Sequence, residues 1–256
     1  MPDRTIVVAR RFRGPDTDDG ATANGGYFCG LVAAAAPRAT TIEIRARVGI
    51  PLDRPLTVRG DGETVEVLDD GALVARSSPE RLPVQAPAPP ALEVALEASR
   101  RFEARLADGS VRHAFPECFV CGHRRAPGDG LRIFAGPEAG DGPTGGRVRV
   151  AGWTPDPAFL DADGRLRPEF VWSALDCPGG WALAGPGNTG TLQVEIREPV
   201  DGRRPLIVVG WRAEAPAPRA GSRRRYAGSA MFDPGGRLLA VGAAIWVAPD
   251  PLATAL

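Results

Sequence analysis

The sequence predicts an α+β protein in which two copies of one unit follow each other. Each copy is an antiparallel sheet wrapped on a central helix, and the two pack as a pseudo-dimer. Three observations lead there. Four landmarks of the first half recur in the second half in the same order. Each half places one helix-like stretch ahead of a run of short strands. And 32 glycines and 26 prolines in 256 residues cut the chain into short elements with many turns.

The landmarks are Asn24-Gly25-Gly26-Tyr27, Ile42–Arg45, Arg54–Gly60 and Asp69–Ala75 in the first half. Their counterparts are Pro178-Gly179-Gly180-Trp181, Val194–Arg197, Arg204–Gly210 and Asp233–Ala240, at offsets of 154, 152, 150 and 164 residues. Loop insertions explain such drift, so the pattern reads as a duplicated unit. In the first unit a strand is expected over Thr5–Phe12, where Ile6 and Val8 alternate with their neighbours. A glycine-rich turn and a helix over Tyr27–Ala36 follow. Strands then fall at Thr40–Val48, Leu56–Arg59, Glu63–Leu68 and Ala72–Ser77, between Pro and Gly turns. Gln85–Pro90 is a Pro/Ala linker, and Ala91–Leu106 carries Leu92, Ala95, Leu96, Ser99 and Phe102 at helical spacing. The second unit has strands at Leu131–Phe134 and Arg147–Val150 and a helix over Pro168–Ala184. Further strands fall at Thr191–Arg197, Leu206–Ala213, Arg224–Phe232 and Leu238–Val247, the last two flanking an Asp233–Gly236 hairpin turn. The expected division is a first unit over 1–84, a linker with a short helix over 85–115, and a second unit over 116–256.

Composition narrows the function. Thirty-one basic and 31 acidic residues cancel, which argues against a nucleic-acid or anionic-membrane partner. Every basic residue is arginine, so chemistry that needs a lysine, such as a Schiff base or a P-loop, is excluded. No apolar run is long enough for a signal sequence or a membrane span, so a cytoplasmic location is expected. There is no Gly-x-Ser-x-Gly elbow, and both histidines, His113 and His123, fall in the connector. Gly140–Gly146 lacks a following lysine and reads as a hairpin loop.

One helix inserted into a short antiparallel meander, twice over, resembles the hotdog fold and, in one chain, the double-hotdog acyl-CoA thioesterases, including the thioesterase II family. The first-unit helix of that family often starts with a residue followed by Gly-Gly, and Asn24-Gly25-Gly26 stands there. The resemblance implies a substrate-binding role for Asn24, Gly25, Gly26 and Tyr27. Glycines at a helix start also let backbone N–H groups face a carbonyl or phosphate. In the second unit Ala174-Leu175-Asp176 is similar to the family's catalytic aspartate segment, and Thr191-Leu192-Gln193 partly matches its Ser/Thr-Leu-Asp strand. The family's glutamine on the last strand is missing, because that position falls near Ala244. The resemblance therefore implies hydrolysis of acyl-CoA or acyl-carrier-protein thioesters. Asp176, Thr191 and Gln193 would be the catalytic residues, with homo-oligomerisation left open. The alternatives are a non-catalytic hotdog that binds acyl-CoA or a lipid-like ligand, a dehydratase, and a structural protein with a metal clip. A plain helix-capping role for Asn24 and Asp176 stands beside each functional reading.

The clip would be Cys118-Phe119-Val120-Cys121-Gly122, half of a zinc-ribbon pattern. A second CxxC is absent, and only His113, His123, Cys177 and Cys29 remain as further ligands. The pattern is read first as a structural turn, with no cofactor expected; zinc at Cys118 and Cys121 and a redox role are the alternatives.

Overall fold

A computed structural model describes residues 3–17, 20–36, 41–45, 49–60, 64–78, 81–137, 148–183, 185–214 and 221–249. The expected loop Gly140–Gly146 and parts of expected elements at Thr40, Ala46–Val48, Glu63, Arg147 and Ala184 lie outside these residues.

The chain opens with β1 (Arg4–Val7) and a single 3-10 turn at Arg10–Phe12. The strand expected over Thr5–Phe12 thus stops early, and the chain turns into a hairpin, β2 (Arg13–Thr17) and β3 (Gly20–Ala23), that forms its own small sheet. Next comes α1 (Gly25–Ala35), then β4 (Thr41–Ile44), β5 (Pro55–Gly60), β6 (Val65–Asp69) and β7 (Ala72–Ser78). After the proline-rich stretch comes α2 (Leu92–Ala107), followed by β8 (Gly136–Pro137) and β9 (Val148–Trp153). The helix expected over Pro168–Ala184 is two helices, α3 (Pro168–Ala174) and α4 (Cys177–Trp181). Pro178 has no N–H to give to the Ala174 carbonyl one turn back, which breaks the ladder there. Four long strands follow: β10 (Asn188–Ile196), β11 (Leu206–Arg212), β12 (Arg224–Phe232) and β13 (Leu238–Val247). Leu131–Phe134 is not a regular strand. Its Leu131 and Ile133 N–H groups donate to the Phe119 and Val120 carbonyls, so it lies along the cysteine turn.

Eleven strands form one antiparallel sheet in the order β1-β5-β6-β7-β4-β10-β13-β12-β11-β9-β8. The first and second halves of the chain meet at β4 and β10, where Thr41, Ile42 and Glu43 sit opposite Gln193, Leu192 and Thr191. On one face α1 lies against α3. α1 has no charged residue and buries most of its surface, as a helix that is apolar all round must. The two helices approach closely because Gly26 and Gly30 have no side chains. A Cβ on Gly26 would lie 2.6 Å from the Asp176 Cβ and 2.9 Å from the Ser173 Cα, and one on Gly30 would lie 2.7 Å from the Glu169 Cα. The core under these helices is a single cluster drawn from both halves, including Phe28, Ile42 and Leu56 with Trp172, Leu175 and Leu192. α2 packs on β9, where Gly152 leaves room for the Leu96 backbone, and Ala95 and Ala98 join Val150, Ile207 and Val209 in a second cluster. The expected linker helix is therefore packed on the sheet.

Candidate active site

The site forms where the start of α1 meets the break between α3 and α4. Asn24 caps α1, its Oδ1 accepting the Tyr27 N–H at 2.9 Å. That bond fixes the amide so that Nδ2 points the other way, donating to Asp176 Oδ2 at 3.2 Å. The Gly26 N–H donates to the same oxygen at 3.0 Å. Thr189 on β10 donates its hydroxyl to Asp176 Oδ1 at 2.7 Å. Asp176 is 2% exposed. Burial pushes its carboxyl up to about 6, and the three donors only partly offset the lost hydration.

Asp176, Asn24, Gly25 and Thr189 line a cavity of about 430 Å³. Ile44 and Ile50 from the first half and Trp181 and Trp246 from the second give it apolar walls, and Phe115 from the connector adds a ring. Of the four N–H groups at the α1 start that lack intrahelical acceptors, Asn24 donates to the Phe12 carbonyl, Gly26 to Asp176 and Tyr27 to its own cap. Gly25 is the one whose N–H has no recorded acceptor among the described residues, and it lines the cavity.

The structure brings Asn24, Gly25, Gly26 and Asp176 together, and it places Thr191 and Gln193 elsewhere. β10 has a bulge between Thr189 and Thr191: Thr189 sits opposite Trp246 and Thr191 opposite Ile245, with Gly190 as the extra residue. The bulge resets the alternation, so Leu192 and Val194 face the helices while Thr191 and Gln193 face away. Thr191 lies half-buried opposite Glu43. Gln193 accepts from Thr41 and from the Leu82 N–H and donates to the Leu82 carbonyl, which ties the segment after β7 to the sheet. Thr191 and Gln193, expected beside Asp176, therefore stand apart from it, and Thr189 is the β10 threonine that bonds the carboxylate. The sequence signal for Thr189 is the glycine after it, since a strand-interior glycine often marks a bulge. Tyr27 does not line the cavity either. Its ring stacks on Phe12 at 3.8 Å and packs near Phe119 and Phe170. The N–H groups after Gly25-Gly26, expected to face a ligand carbonyl, are engaged at the helix start instead, Tyr27 donating to the Asn24 side chain and Phe28 to the Asn24 carbonyl. Ala244 sits opposite Leu192 and Ala227 on the neighbouring strands.

The cysteine turn forms another wall. Gly122 closes it, donating its N–H to the Cys118 carbonyl at 2.8 Å. A Cβ at Gly122 would meet that oxygen at 2.5 Å, so only glycine fits. Cys177, at the start of α4, comes to 3.7 Å from Cys118, sulfur to sulfur. Asn24 Nδ2 lies 3.7 Å from the Cys118 sulfur. Hydrogen bonding from the Cys121 and Cys177 thiols, and to a lesser degree from the Cys121 and Val120 N–H groups, pulls the Cys118 thiol well below its ordinary range, against the opposing effect of burial. His113 bridges the turn, with Nε2 3.0 Å from the Cys121 carbonyl and Nδ1 accepting the Phe115 N–H.

No protein-family model matches the sequence, and no curated protein matches it significantly. Solved structures do resemble it. A Thermobifida fusca protein assigned as a thioesterase II superposes with a TM-score of 0.57 over 98% of this chain and 93% of its own length, at 13% identity. A protein of Novosphingobium aromaticivorans assigned as a thioesterase gives 0.54 over 97% and 96%, at 18% identity. The GphF dehydratase gives 0.59 over 96% and 93%, at 16% identity. Identities this low speak to fold, and one fold hosts several chemistries. Among the described residues no helix is long and apolar enough to cross a membrane. Over nearly its whole length the chain thus shares a hotdog-like fold with these thioesterase-assigned proteins and with the dehydratase.

Proposed function

We propose that the chain hydrolyses acyl thioesters carried on coenzyme A or an acyl carrier protein, at the cavity beside Asp176. The observation that carries this reading is a buried carboxylate held from two sides: by Asn24 and Gly26 of the first half and by Thr189 of the second. A carboxylate offers about four lone-pair directions. Three are taken, so one is left to hold a water at the cavity wall. The substrate carbonyl would accept from the Gly25 N–H. Asp176 takes a proton as the water attacks, the carbonyl oxygen becomes an oxyanion at Gly25, and collapse of the tetrahedral adduct breaks the carbon–sulfur bond. The proton then passes to the departing thiolate. The apolar walls suit an acyl chain.

In this reading the two halves are hotdog units, 1–84 and 116–256, packed as a pseudo-dimer with one working site. The asymmetry rests on α1, which carries no acid to match Asp176. A dehydratase needs an imidazole paired with an acid. His113 does line the cavity, but both its ring nitrogens are engaged with backbone groups. Ala244 in place of the family's glutamine favours a second reading, a protein that binds acyl-CoA without hydrolysing it. A panel of acyl-CoAs of different chain length, with released thiol measured, separates the two. Release with at least one of them supports hydrolysis; tight binding without release supports the binder.

A further inference from the structure

We propose that Cys118, Cys121 and Cys177 form a zinc site whose fourth coordination position opens into the cavity. The three sulfurs lie within 4.8 Å of one another and all three residues line the cavity. Zinc–thiolate bonds of about 2.3 Å at tetrahedral angles set a sulfur–sulfur edge of about 3.8 Å. Cys118 and Cys177 already stand 3.7 Å apart. The Cys121 sulfur lies within 4.8 Å of both.

The surroundings fit a thiolate-bound metal. Cys118-x-x-Cys121-Gly122 folds as a tight knuckle closed by the Gly122 N–H on the Cys118 carbonyl, and the Asn24 amide, which lines the cavity, approaches the first sulfur at 3.7 Å. Such a donor disperses the negative charge of three thiolates around a dication. The second half of a zinc ribbon, which the sequence lacks, is replaced by a residue 56 positions on, Cys177. The Pro178 break positions it, because α4 restarts at that residue. Cys29 is buried and stays outside the cluster, and among the described residues no His, Asp or Glu joins it. His113 is excluded as a ligand by its two backbone contacts, although it buttresses the Cys121 carbonyl. With three protein ligands and a cavity on the fourth side, the open vertex takes water or a sulfur or oxygen donor from a bound molecule. This inference does not depend on the hydrolase reading.

The test uses the full chain, produced in zinc-supplemented medium and purified with a phosphine reductant and no chelator. Zinc content is measured first, and the metal is then exchanged for cobalt(II). About one zinc per chain is expected, with a sulfur-to-cobalt charge-transfer band and a tetrahedral visible spectrum. C29S keeps both signals, while C118S, C121S and C177S each lose most of the metal. Added 2-mercaptoethanol should shift the cobalt spectrum through the open vertex. Zinc far below one equivalent, a cobalt spectrum without the sulfur band, or a disulfide among the three cysteines overturns the site. Equal metal retention in C29S and the three other variants overturns the ligand assignment. A cobalt spectrum indifferent to the added thiol overturns the open vertex. Should the serine variants fail to fold, the wild-type zinc content and cobalt spectrum still decide. Metal content is read without substrate, so its failure leaves the hydrolase reading standing.

Discussion

At the scale of single residues, Asp176 and Thr189 form a pair that the sequence shows only in part. Asp176 is legible because its helix segment matches a known pattern. Thr189 is not, because an extra residue at Gly190 moves the inward-facing position by one and makes the nearer candidate, Thr191, point away. Two substitutions separate them. Thr189→Val removes a hydrogen bond to a charged group, which is worth about 1.5–3 kcal/mol, and should lower kcat about 10- to 100-fold. Thr191→Val should leave kcat unchanged in the same assay of thiol release. Gln193 answers to a different measurement. It makes its hydrogen bonds to Thr41 and Leu82, so Gln193→Ala should lower unfolding free energy in urea by about 1–3 kcal/mol while the folded protein keeps its activity.

At the scale of elements, most strands and the α1 and α2 helices are legible, since hydrophobic alternation and Pro/Gly turns mark them directly. Three features are hidden. The β2–β3 hairpin lies in a polar stretch with little apolar signal. The break between α3 and α4 depends on Pro178, which competes with an otherwise continuous helical pattern. The packing of α2 on β9 depends on Gly136 and Gly152, which leave space for its backbone, and long-range space is not a local pattern. The α1–α3 contact makes the sharpest structural prediction. At Gly26 a methyl group would meet Asp176 and the backbone of Ser173 and Trp172 within 3.0 Å. Gly26→Ala should therefore cost about 1–3 kcal/mol of stability from overpacking. Activity should fall further than stability alone explains, because the carboxylate is displaced. Calorimetry beside turnover measurements checks both parts.

At the scale of the whole molecule, the halves share one sheet and one core. Four ordered landmarks lead the sequence to be read as two related units, but they do not say that β4 and β10 join the halves edge to edge. That pairing depends on which strands are left unpaired, a global property. It also predicts shared stability. All five tryptophans, Trp153, Trp172, Trp181, Trp211 and Trp246, lie in the second half, so tryptophan fluorescence follows the unfolding of that half and of its contacts with the first. Leu56 belongs to the first half and is fully buried. Leu56→Ala should cost about 2–5 kcal/mol and shift the tryptophan unfolding midpoint by the same free energy. An unmoved midpoint would mean that the halves unfold independently.

The proposed hydrolysis turns on one carboxylate held by residues of both halves. Replacing Asp176 by Asn keeps the shape of the side chain and removes the base. With an acyl-CoA that the wild-type protein accepts, thiol release by Asp176→Asn should fall about 10²- to 10⁴-fold while acyl-CoA binding, followed by calorimetry, persists. Turnover by Asp176→Asn at the wild-type rate would contradict the account.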